Sequence, residues 1–127
     1  MNIQTQLEKV FGFSTLKPFQ QEVIDSMLMD DDILVISPTG SGKSLCFQLP
    51  ALLQEGMTVV LSPLRSLIYD QVEALKSKGV NCDLLNGDLK VKDRARVYGE
   101  LSKKIPEIKL FFFDDSLIIL SINLSGF

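Results

Sequence analysis

The chain has 127 residues, room for one modest domain that buries roughly two-thirds of the surface its unfolded form exposes. Hydrophobic residues make up 46% and charged residues 23%, which excludes a disordered or fibrous class. A formal charge of −3 excludes a global positive field for nucleic acid, so any such contact has to come from a local patch.

The start, "MNIQTQLEKVFGF", has neither a basic n-region nor a continuous apolar h-region and does not read as a signal peptide. Ile3, Leu7, Val10 and Phe11 fall at helical spacing. Pro18 then suits the first turn of a second helix, with Val23, Ile24, Met27 and Leu28 on one face. "DILVIS", residues 32–37, predicts a short buried strand, and a helix is expected from Lys43 to about Leu53. "MTVVLSP" predicts the next buried strand, followed by a helix from about Leu67 to Lys78 that Gly79 closes. "CDLLNGD" is a shorter strand, "KVKDRARVYGELSKK" a charged amphipathic helix and "IKLFFF" a last strand. Alternating strands and helices imply an α/β fold, a mainly parallel sheet flanked by helices. Cys46 and Cys82 lack the density of a disulfide framework, and Cys46 and Phe47 are expected to pack against the sheet.

The chemistry concentrates in "SPTGSGKS", residues 37–44. Gly40 and Gly42 permit positive φ, so that in the loop Pro38–Thr39–Gly40–Ser41–Gly42 the successive N–H groups from Thr39 onward can converge on phosphate oxygens. Lys43 would reach the β and γ phosphates as the catalytic cation, and the Ser44 hydroxyl would ligate Mg²⁺. Ser37 stands where the phosphate-loop consensus has glycine; Pro38 and Thr39 can supply that turn. The bland alternative, a glycine-rich turn that binds nothing, is disfavoured by the strand–loop–helix context.

"PTGSGKSLCFQLPALL" and "VVLSPLRSLIYDQV" together resemble the RecQ helicases of the second helicase superfamily. "FGFSTLKPFQQEVI", "LLNGD" and "ELSKKIPEIKL" point the same way, the last two toward the Bloom syndrome type. The resemblance covers residues 9–112 and implies a partial RecA-like P-loop domain. It implies three segments: helices carrying an adenine motif over 1–30, a partial ATP-binding domain over 31–113 and a divergent apolar tail over 114–127.

By that resemblance Phe13, Lys17 and Gln20 grip adenine, so ATP with Mg²⁺ is the expected ligand. Gln20 suits the task because a carboxamide donates and accepts at once. Lys17 replaces the arginine common in the family, keeping charge but losing planar stacking. Ser62, Arg65 and Ser66 fall in the motif that touches the backbone of single-stranded or partly duplex DNA, a positioning contact without sequence information. Arg65 beside Asp70 reads equally well as a surface ion pair, and the cations of "KVKDRARVYGELSKK" read better as a solvated face. A nuclear, intracellular location in DNA repair and recombination is implied by resemblance alone.

The family's Asp-Glu-x-His box is absent, since the chain contains no histidine. After "IKLFF" the family motif gives way to "FDDSLIILSINLSGF", as in a truncated product. The uncharged run from Ser116 to Phe127 is too short for a membrane span, and Asp114 with Asp115 blocks its extension. The expectation is a chain that binds nucleotide without unwinding DNA. Two alternatives stand: a compact NTPase using Asp114 and Asp115 as metal and water ligands, or a non-enzymatic ATP- and DNA-binding decoy. A chain that does not fold alone is a further possibility.

Overall fold

A computed structural model describes residues 2–38, 40–87, 89–103 and 107–113. Two compact units make up the chain, Met1–Glu55 and Gly56–Phe127.

The first unit is helical. Helix α1 (Ile3–Gln6) is capped by Asn2, whose Oδ1 accepts the Thr5 N–H at 2.8 Å. It runs into a wider π-helical turn over Leu7–Phe11. Helix α2 (Pro18–Leu28) begins at Pro18, as the missing N–H of proline predicts. Only Ile24 of its expected apolar face is fully buried. Helix α3 (Leu45–Leu53) follows the phosphate loop. Leu7, Ile24, Leu45 and Leu49 form the core, with Ile3, Phe11, Leu16 and Leu53 packed around it. Leu49 is wholly buried, a placement that contributes roughly 1.5–3 kcal/mol.

The strand expected at residues 32–37 does not form. The segment is irregular, with Leu34 86% and Ile36 89% exposed. The physical reason is pairing: a strand is stabilised by a hydrogen-bonded neighbour, and the sheet among the described residues is made of three other segments. An apolar run specifies that a segment could be buried in a sheet; it does not supply the partner.

The second unit is α/β, as expected. Strands β1 (Thr58–Leu61), β2 (Cys82–Leu85) and β3 (Leu110–Phe113) form a parallel sheet in the order β1-β3-β2. Both outer strands align with the centre so that Leu61 and Leu85 each pair with Phe113. Helix α4 (Arg65–Ser77) crosses from β1 to β2, and α5 (Val91–Leu101) from β2 to β3. Helix α4 begins two residues before the expected Leu67. It closes at Gly79, whose φ of +79° favours glycine, with the Val80 N–H donating to the Leu75 carbonyl at 3.1 Å.

β2 and β3 are the buried strands, with Leu110 and Phe112 of β3 fully covered. β1, expected to be buried, is an edge: it alternates, leaving Val59 52% and Leu61 50% exposed. Val97 of α5 packs with Leu85, Ile108 and Phe111. The cations of α5 are not simply a solvated face. Arg96 pairs with the buried Asp83 at 2.6 Å, and Arg94 donates to the Gly87 carbonyl at 3.0 Å. The tail from 114 to 127, including Asp114 and Asp115, lies outside the described residues, as does Lys104.

Candidate nucleotide and nucleic-acid sites

In the first unit, the start of α2 is tied to the phosphate loop through one side chain. Gln20 sits three residues after Lys17, and its Oε1 accepts the Lys17 N–H at 2.9 Å, the returning half of a capping box. Its Nε2 donates to the Gly42 carbonyl at 3.0 Å. A buried carboxamide is costly unless both ends are satisfied; here each has a partner, and Gln20 is 5% exposed. Gly42 has φ +92°, and a Cβ there would stand 2.6 Å from Gln20 Nε2, so both the backbone conformation and the approach demand glycine.

Two lysines fold onto the loop. Lys17 Nζ donates to the Ser41 carbonyl at 3.0 Å and Lys43 Nζ to the Ser37 carbonyl at 2.7 Å. The Ser41 N–H donates to the Pro38 carbonyl at 3.2 Å, closing the turn between them. Ser44 caps α3, its carbonyl accepting the Gln48 N–H at 3.0 Å. Thr39 lies outside the described residues.

Phe13, Lys17, Gln20, Gly40 and Gly42 line one cavity of about 280 Å³, joined by Thr15 and Leu45. Phe13 is 54% exposed, presenting an open aromatic face beside the loop. The structure thus brings together the proposed adenine residues and the phosphate loop. A larger space of about 450 Å³ lies between α2 and residues 33–37, but its walls carry no cation and reach the phosphate loop only at Ser37.

The donor set fits a nucleotide. Lys43 and Lys17 hold carbonyl oxygens that phosphate oxygens can replace as acceptors, at a loop whose glycines have positive φ. For a metal ion the chain offers less: among the described residues no group of three His, Cys, Asp or Glu side chains converges, and Ser44 contributes one hydroxyl.

In the second unit, Ser62 follows β1 and its Oγ accepts the Leu64 N–H at 3.4 Å, while Arg65 and Ser66 open α4. The motif therefore lies at the carboxyl edge of the parallel sheet, where open α/β folds bind ligands. The residues after β2 emerge at the same edge. Asn86 is fully buried and donates from Nδ2 to the Tyr69 hydroxyl at 3.1 Å. Arg94 donates to the carbonyls of Asn86 and Gly87 at 3.4 and 3.0 Å. Residue-by-residue reading of the sequence misses Asn86 and Gly87, whose signal is "LLNGD", and takes Arg94 only as one cation of a solvated face. Burial raises the thiols of Cys46 and Cys82 above the ordinary range, with Asp83 adding to the effect at Cys82.

Comparison with known proteins places the chain in a family. Residues 17–113 match the DEAD/DEAH box helicase family. A RecQ-like DNA helicase of Caenorhabditis elegans is 46% identical over 106 residues, 84% of this chain and 11% of that protein. The RecQ-like DNA helicase BLM of Xenopus laevis is 42% identical over 116 residues, 91% of this chain and 8% of that protein. An ATP-dependent DNA helicase RecQ of Pasteurella multocida is 47% identical over 95 residues, 75% and 15%. This chain therefore spans between 8% and 15% of the length of these relatives. A solved structure of the DUF1998 helicase MrfA bound to DNA and AMPPNP has the same fold, with a TM-score of 0.70 at 22% identity over 96% of this chain and 18% of that one. The chain belongs to the DEAD/DEAH box helicase family, with RecQ-type helicases as its relatives.

Proposed function

We propose that this chain binds ATP on the loop 37–44 and the backbone of single-stranded or partly duplex DNA through Ser62, Arg65 and Ser66, as part of the ATP-dependent apparatus of a RecQ-type DNA helicase. The observation that carries the nucleotide reading is the Gln20 carboxamide, bonded at once to Lys17 and to Gly42 in a cavity that Phe13 also lines. Bound ATP supplies the phosphoanhydride whose cleavage powers strand movement in such enzymes.

The chain's own residues do the rest. Phe13 offers an aromatic face to a base, and Gln20 couples its placement to the loop through Gly42. Lys43 exchanges the Ser37 carbonyl for a phosphate oxygen, Ser44 offers its hydroxyl to Mg²⁺, and Pro38, Thr39, Gly40 and Ser41 shape the turn. In the second unit Arg65 neutralises one phosphate of DNA, while Ser62 and Ser66 donate to others. These 127 residues hold no histidine and so none of the family's Asp-Glu-x-His box, and the reading proposed for them alone is nucleotide binding without strand separation. A nuclear location is proposed by family resemblance alone, the relatives being both animal and bacterial, and no helix among the described residues is long and apolar enough to cross a membrane.

The test is a thermal melt of the purified chain with and without Mg·ATP, beside Lys43→Ala. At one hundred times Kd, ATP stabilises the native state by about 2.7 kcal/mol, a rise in Tm of about 10 °C. The expected result is that rise in the wild type and none in Lys43→Ala. Equal melts with and without ATP would overturn the nucleotide reading. ATP-dependent strand separation by the purified chain would overturn the claim that it does not unwind. Steady ATP turnover lost in Asp114→Ala would favour the compact NTPase instead.

A further inference from the structure

We infer that Gly87 and Arg94 are positioning residues for Arg65, holding its guanidinium where it meets a DNA phosphate. The inference rests on the reading of Arg65 as a DNA contact. Two observations carry it. The first concerns space: a Cβ at Gly87 would stand 3.3 Å from Arg65 Nη2, so the guanidinium lies directly over that glycine. The second concerns conformation: Gly87 is not among the glycines with positive φ, so its backbone does not require glycine. What glycine supplies here is room for Arg65.

The turn beneath Arg65 is held from both sides. Arg94, reaching from α5, donates to the carbonyls of Asn86 and Gly87. The buried Asn86 bonds Tyr69, which lies one helical turn after Arg65 on α4. The register explains why these groups meet. Leu61 and Leu85 share Phe113 as partner, so β1 and β2 end level, and α4 crosses between them. Arg65 is thereby braced against a fixed surface, which lowers the entropy lost when its long side chain settles on a phosphate.

The experiment measures binding of a fluorescent oligothymidylate to the full chain by anisotropy across a salt series. On single strands each neutralised phosphate contributes about −0.7 to the slope of log K against log salt. Arg65→Ala is expected to lower affinity and flatten the slope by about that amount. Gly87→Ala changes no charge; its Cβ would make the guanidinium give by a few tenths of an ångström, so it is expected to lower affinity about twofold with the salt slope kept, and to add no loss once Arg65 is alanine. Arg94→Lys keeps the charge but replaces the planar fork, and is expected to lose affinity about threefold only while Arg65 is present. If Arg65→Ala lowers affinity and slope but Gly87→Ala and Arg94→Lys leave affinity unchanged, the inference is overturned and the DNA reading stands. If Arg65→Ala changes neither, the DNA reading falls and the inference with it. Since the Cβ at Gly87 would meet only the end of a flexible side chain, Gly87→Ala should melt as the wild type does.

Discussion

Gln20 Nε2 lies 3.0 Å from the Gly42 carbonyl, while its Oε1 accepts the Lys17 N–H, so one carboxamide joins the start of α2 to the phosphate loop. Removing it deletes two bonds at a buried position, each with a net value of about 1 kcal/mol. Gln20→Ala should therefore lower stability by about 2 kcal/mol and weaken ATP about tenfold, because the loop loses its brace. Gly42→Ala should do at least as much, since the new Cβ meets Gln20 Nε2 at 2.6 Å in a left-handed backbone. Calorimetric titration with Mg·ATP checks both. Wild-type affinity in Gln20→Ala would show that the brace is dispensable.

Asp83 and Arg96 make a mixed pair: the carboxylate side chain is 10% exposed and the guanidinium side chain 58%. The hydrogen bond from Arg96 to Asp83, reinforced by their opposite charges, raises the guanidinium further above its ordinary value, so it stays charged throughout. Arg96→Ala leaves the Asp83 carboxylate accepting the Leu84 N–H at 2.9 Å within β2. Because the arginine head reaches water, the expected loss is only about 1 kcal/mol, well below that of a fully buried pair. Denaturant melts should give that loss for Arg96→Ala and half of it or less for Arg96→Lys. A loss of 3 kcal/mol or more would mean that Arg96 is buried in solution.

The exposed run at residues 33–36 gives a sharper test. Substituting a solvent-facing residue changes stability by about 0.5 kcal/mol or less, whereas truncating a buried one costs about 2 kcal/mol or more. Leu34→Ser and Ile36→Ser should therefore melt like the wild type and improve solubility, since both side chains face water. Destabilisation by 2 kcal/mol would mean that the segment is covered, as its apolar sequence predicts.

That segment marks the boundary of what the sequence could reveal. Pro18, Gly79 and the apolar run of β3 act through local chemistry, and each element they predict is present. Burial of "DILVIS" and of β1 depends on neighbours elsewhere in the chain, and both differ from expectation. The site divides in the same way. Lys43, Gly40 and Gly42 are legible because a phosphate loop is contiguous, and Gln20 was reached through family resemblance. The approach of Gly87 to Arg65 was not legible, because it arises from the level ends of two strands that never touch each other.

The two cysteines yield a prediction whose sign follows from burial. Both thiols are pushed up by desolvation, against a small opposing effect of Lys76 at Cys82. The native state therefore keeps its thiol protons to higher pH than the unfolded state, whose thiols titrate near pH 8.5, at about the ordinary value. The stabilisation is fully present below that pH and is lost as pH rises through it toward the folded values, because only the unfolded chain releases protons there. Stability should be flat in this respect at pH 7 and decline above about pH 8.5, and a Cys46→Ala, Cys82→Ala variant should lack that part of the decline. A thiol-reactive aromatic disulfide supplies a second readout. Both residues are buried and unpaired with each other, so labelling at pH 7 should proceed only as fast as the chain opens. Rapid labelling of either thiol under native conditions would show that its cover is not part of the folded state.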